Sequence, residues 1–165
     1  METKATSNRM NPLLDLYDMQ TTFFSNVIEG ITDQDAHHRL NTKANHVAWL
    51  TGSLVEQRYE IANALGNDDK QEAHDLFKNN QGIQDGVIYP SLLTFKKDWE
   101  KITPVLRNAL HTVKDEKLDQ SFETMPGMRM TYYELISFII YREANCIGQI
   151  ALWRRLLGYA PMKYQ

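Results

Sequence analysis

The chain holds a single cysteine, Cys146, which excludes an intramolecular disulfide and a paired-cysteine metal clip. It has no excess of basic residues: 18 Lys and Arg against 21 Asp and Glu give a net charge of −3. No global positive field therefore favours nucleic acid. It also lacks a long hydrophobic run. The most apolar stretch, Tyr132 to Tyr141, falls short of the roughly 20 residues a membrane-spanning helix needs. The opening METKATSNRMN has no apolar segment of the kind that marks a signal peptide. These absences place the chain in the reduced cytoplasm, with neither nucleic acid nor membrane as partner. At 165 residues, with 42% hydrophobic and 24% charged residues, it is long enough for one domain, 1–165, with a real core.

What is present is helical periodicity. Leu13, Leu16, Tyr17, Phe23, Phe24, Val27 and Ile28 recur at spacings of three and four after Pro12, and Gly30 closes that helix. Thr32 caps a short turn running through His37 and His38. A second long helix is predicted from about Lys43 to Leu65, with Val47, Leu50, Leu54, Ile61 and Leu65 as its apolar stripe. Residues 67–89 are polar and turn-rich, with a short helix through His74 to Lys78. A connection of that length crosses the bundle or carries function. Ser91 opens a third helix through Leu110, with a kink expected at Pro104. Residues 114–129 read as a polar link with a turn at Met125-Pro-Gly-Met128, and no strand is predicted. Thr131 and Glu134 form a capping box for the fourth helix, which Gly158 ends. The expectation is an all-α four-helix bundle with a long connection between its second and third helices.

On the fourth helix, Leu135, Phe138, Ile139, Arg142, Cys146, Ile150, Trp153 and Leu157 share one side at 100° per residue. That puts an arginine and the only cysteine inward, one turn apart. On the second helix, His46 stands beside Leu50 at the edge of the apolar stripe. The segments Asn45-His-Val-Ala-Trp-Leu-Thr-Gly52 and Ile147-Gly-Gln-Ile-Ala-Leu-Trp-Arg-Arg-Leu-Leu-Gly158 resemble the DinB-like (YfiT-like) superfamily of bacterial four-helix bundles. The resemblance covers nearly the whole chain. It implies a divalent metal on three histidines, one at His46 and two at the positions of Arg142 and Cys146. It also implies metal-dependent hydrolase or thiol-transferase chemistry, and frequent homodimers.

Two of those three positions lack histidine. Cys146 can still ligate zinc as a thiolate. Arg142 keeps its proton and places positive charge where the dication would sit. Zinc or nickel is therefore not expected, and Asp15, Asp18 and Glu56 are replacement ligands that no spacing selects. Arg142 can instead join an interhelical ion pair with its stem in the core, or contact an acidic ligand. Cys146 is expected to be a small buried hydrophobe; the alternative is a thiol held toward the thiolate by the neighbouring Arg142. His37, His38, His74 and His111 are expected at the surface, Trp49, Trp99 and Trp153 in the core, and Arg154 with Arg155 on a solvated face. The leading expectation is a degenerate metal site in a small-molecule-binding or non-catalytic protein. The alternatives are a metal- or thiol-dependent transferase or hydrolase on a small cytosolic substrate, or a homodimeric interaction module.

Overall fold

A computed structural model describes residues 4–165; the first three residues of the opening segment lie outside it. The elements, in chain order, are α1 (Asn11–Ile28), α2 (Asp33–Ala36), α3 (Val47–Ala64), α4 (His74–Phe77), α5 (Leu92–Thr112), α6 (Asp115–Leu118), β1 (Ser121–Met125), β2 (Met128–Thr131) and α7 (Tyr132–Leu156). Their ends follow local chemistry. The hydroxyls of Thr32 and Ser91 accept from the third residue of α2 and α5, and Thr131 and Glu134 cap α7 reciprocally. Gly158 takes φ +86° just past α7, where a side chain would be strained.

The long helices α1, α3, α5 and α7 make the four-helix bundle, and contacts between distant residues fix their directions. Tyr17 reaches the Thr103 carbonyl while Thr6 reaches that of His111, so α1 and α5 run antiparallel. Arg142 meets Ser53 while Trp153 meets the Asn45 carbonyl, so α3 and α7 are antiparallel as well. Gly52 lies against Phe95 and Arg58 bonds Thr103, which makes α3 and α5 parallel neighbours. Arg9 over Tyr133 and Arg154 on the Val27 carbonyl make α1 and α7 parallel. The order is up, down, down, up. A parallel pair needs a connection that returns along the bundle, which is what residues 65–91 supply.

Four sequence expectations are corrected, the last of them at Arg154. The second long helix starts at Val47 and not near Lys43, because the Arg39 guanidinium takes the carbonyls of Lys43 and Ala44. The link after α6 contains a hairpin, β1 paired with β2 from Ser121↔Thr131, turning at Gly127 with φ +80°. Its strands are short and polar, which hides them from a periodicity test. The buried face of α7 is Ile136, Ile139, Ile140, Glu143, Cys146, Ile147, Ile150, Trp153 and Arg154. It is rotated part-way from the expected face, with which it shares Ile139, Cys146, Ile150 and Trp153: Phe138 is 52% exposed and Glu143 is 1% exposed.

Glu143 has its partner in the core. Arg58 of α3 is fully buried and donates to both Glu143 carboxylate oxygens, at 2.7 and 2.9 Å. It also bonds the hydroxyls of Thr21 and Thr103, and its plane lies 3.4 Å over Trp99 and 3.9 Å over Tyr17. All four long helices thus meet at one guanidinium. Arg154 is also buried and not on a solvated face. It bonds the carbonyls of Val27, Glu29 and Ala160, tying the end of α1 to the chain beyond α7. Among the described residues, no helix is long and apolar enough to cross a membrane.

Candidate functional site

On α3, Ser53, Glu56, Gln57 and Glu60 recur at helical spacing and form a polar stripe facing α7. Across from it stand Phe138 and Arg142, and the returning connection adds Phe77, Asn80 and Gln81. Together with Trp49 they line a cleft of about 220 Å³. Gly52 sets the position of the Phe77 wall. A Cβ there would lie 2.3 Å from the Phe77 ring and 2.6 Å from Phe95, so only glycine lets both rings reach the helix. The connection is pinned on the other side by Glu56. This buried carboxylate contacts His74 Nδ1 at 2.6 Å and accepts from the Gln71 amide, also at 2.6 Å.

Arg142 is half-buried at the edge of the cleft. Its guanidinium donates to Gln57 Oε1 at 2.5 Å and to Ser53 Oγ at 2.8 Å. Both acceptors are neutral, so the interhelical ion pair expected for Arg142 belongs instead to Arg58 and Glu143. A guanidinium has five N–H donors, and these bonds leave three uncommitted among the described residues. Trp49, also in the lining, carries a second donor. Trp49 is only 8% exposed, and its indole Nε1–H has no acceptor among the described residues. A buried donor without a partner is uncommon.

His46 is not beside Arg142. It is the N-cap of α3, where its Nδ1 accepts from the Trp49 backbone N–H at 3.1 Å. The partners of Arg142 start at Ser53, seven residues further on, or about 10 Å along the axis at 1.5 Å per residue. The neighbours of His46 are instead His37 and Tyr89, each with its ring centroid 5.3 Å away. Burial, with His37 adding to it, pushes the His46 imidazole down to about 4. His37 itself is built in: its two ring nitrogens contact the carbonyls of Asp33 and Tyr89.

Cys146 is 4% exposed, and burial raises its thiol pKa; the nearby Arg142 opposes the shift without reversing it. This agrees with the favoured reading of Cys146 as a small buried hydrophobe: desolvation outweighs the guanidinium. Glu56 is taken up by His74 and Gln71, and Asp18 by a two-bond pair with Arg107. Among the described residues no three His, Cys, Asp or Glu side chains come together to hold a metal ion. The donors at the three positions implied by the resemblance are a capping histidine, a neutral buried thiol and a cation. They do not fit a divalent metal.

No family model matches the chain, and no curated protein matches it by sequence. One solved structure it matches is YfiT from Bacillus subtilis, described as "a probable metal-dependent hydrolase with an unusual four-helix bundle topology". The match has a TM-score of 0.60 at 12% identity and covers 97% of this chain and 94% of that one. The fold is the YfiT bundle. At this identity the likeness carries the architecture, and the YfiT-type fold expected from the two sequence segments is shown.

The sequence pointed to Arg142 but not to the groups around it. Ser53, Gln57 and Glu60 sit at i, i+4 and i+7, a polar stripe that could have been found on a helical wheel. Phe77 and the unpartnered Trp49 indole depend on how the long connection folds back, which no local pattern contains.

Proposed function

We propose that this protein binds a small anionic molecule in the cleft between α3 and α7, without catalysing a reaction on it. One observation carries the reading: a guanidinium with donors left over stands in a cleft whose lining includes Trp49, and the buried indole N–H of Trp49 has no acceptor among the described residues. A carboxylate or similar oxyanion suits both, since arginine binds such groups through two parallel hydrogen bonds. The size of the cleft limits the ligand to less than drug size. No side chain lining it is set up as a nucleophile. The Ser53 hydroxyl accepts from Arg142, and Cys146 is not among the lining residues. In this reading the protein works in the cytoplasm as a homodimer, and neither nucleic acid nor membrane is its partner. The exposed Leu16, Met19, Leu152 and Leu156 support a self-association surface.

The fold likeness to YfiT favours a second reading, a metal- or thiol-dependent hydrolase or transferase in which His46 and Cys146 ligate zinc or nickel. A thermal-shift screen separates the two. Under the first reading small carboxylates raise the melting temperature of the wild type but not of Arg142→Gln, while zinc and nickel leave both unchanged. Stoichiometric metal binding that is lost in His46→Ala or Cys146→Ala, with no response to carboxylates, would establish the second.

A further inference from the structure

The cleft holds charge of both signs. Beyond Gln57, one further turn along α3, stands Glu60 at the mouth. Its carboxylate forms no hydrogen bond or ion pair among the described residues, unlike Glu56, whose two oxygens are occupied. The Arg142 head is anchored at Ser53 and Gln57, and Glu60 follows these along α3 by seven and three residues, a rise of about 10 and about 5 Å. That spacing lets one small ligand touch both. The rest of the lining joins the aromatic Phe77, Phe138 and Trp49 to the polar Asn80 and Gln81.

We infer that the ligand is a zwitterion of the amino-acid class, with its carboxylate on Arg142 and Trp49 Nε1–H, its ammonium on Glu60, and an apolar side chain against Phe77 and Phe138. This rests on the proposed anion-binding role and narrows it. A simple monocarboxylate would leave Glu60 facing it as a like charge, and a simple amine would meet the guanidinium. Only a ligand carrying both charges answers both groups. The cleft volume of about 220 Å³ equals the share of roughly seven waters at ~30 Å³ each, which suits a single amino acid and not a peptide. Desolvation at the mouth of the cleft, and then Glu56 as a like-charged neighbour, hold the Glu60 carboxyl above the usual range, against the pull of His74 and Arg142. A bound ammonium would relieve that.

Calorimetric titration tests the inference with the apolar L-amino acids leucine, methionine and phenylalanine, each paired with its deaminated acid and its decarboxylated amine. Wild type, Arg142→Gln and Glu60→Gln are compared. The expected result is binding of at least one amino acid about tenfold or more tighter than both of its truncated forms. Glu60→Gln should remove that advantage while leaving the deaminated acid unaffected, and Arg142→Gln should weaken both. If a deaminated acid binds wild type as well as its parent amino acid, or Glu60→Gln changes nothing, the zwitterion inference fails and the anion-binding role stands. An amine binding as well as its parent would overturn both, as would no binding by any acid or amino acid. Glu60 is exposed on its helix, so its variant keeps the fold; circular dichroism checks this for both variants.

Discussion

Replacing Glu143 with glutamine keeps the shape of the side chain but leaves the Arg58 guanidinium in the core without a counter-charge. Arg58 is 0% and Glu143 1% exposed at the side chain, so water cannot take over the lost interaction without the helices parting. The two threonine hydroxyls and the faces of Trp99 and Tyr17 remain, but none carries a charge. Breaking a buried pair from one side costs about 3–5 kcal/mol, a large share of the roughly 5–15 kcal/mol that holds a domain folded. For a chain of this length each kcal/mol moves the melting temperature by about 2–4 °C, so Glu143→Gln should lower it by roughly 6–20 °C. Urea unfolding followed by far-UV circular dichroism gives the free energy directly. The double variant Arg58→Met, Glu143→Leu removes both charges and should recover most of the loss. A change within about 0.5 kcal/mol for Glu143→Gln, the range of an ordinary surface substitution, would refute the reasoning.

Stability should also respond to pH through His46. Its imidazole is pushed down to about 4 from a reference of 6.5, chiefly by burial. Between those values the unfolded chain binds a proton that the folded one refuses. The contribution is therefore complete above about pH 6.5 and is lost as pH falls toward 4, by up to about 3 kcal/mol in all. His46→Asn keeps the cap and should flatten that part of the stability profile; an unchanged slope would assign it elsewhere. Gly52→Ala drives a methyl into Phe77 and Phe95, an overpacking cost of about 1–3 kcal/mol set against up to about 1 kcal/mol of helix propensity returned. A net loss of about 1–2 kcal/mol is expected in chemical unfolding, and a more stable variant would contradict the packing. Cys146 should react slowly with an aromatic disulfide reagent at pH 8 in the native protein and fully in denaturant. Immediate stoichiometric reaction would mean that the thiol is not buried.

Local chemistry carried much of the fold into the sequence. Pro12, the Thr131–Glu134 box and Gly158 mark helix ends through interactions only a few residues long, and such ends were legible. The inward face of α7 was missed by part of a turn, roughly 60°: Ile139, Cys146, Ile150 and Trp153 belong to both faces, but Glu143 and Arg154 replace Phe138 and Arg142. Leu135 and Phe138 are apolar and pulled the apparent stripe toward themselves, while burial is decided by α1 and α3 packing from both sides. Charge also misled: an arginine and a glutamate in adjacent positions, 142 and 143, have opposite fates because Arg58, 85 positions from Glu143, selects the glutamate. No periodicity contains that pairing. The helix order was legible, but their directions rest on contacts between distant residues. For the site, Arg142 could be singled out and placed near α3, whereas the Phe77 wall awaited the folding of residues 65–91 over Gly52.

The central claim is that Arg142 and Trp49 receive one oxyanion. The most direct measurement follows the indole N–H resonances of the three tryptophans by nuclear magnetic resonance during addition of the tightest carboxylate, with Trp49 assigned through Trp49→Phe. The account predicts a saturable shift of the Trp49 Nε1–H, absent in Arg142→Gln, while the Trp99 and Trp153 signals stay in place. A Trp49 resonance that does not move, or one that moves equally without Arg142, would contradict it.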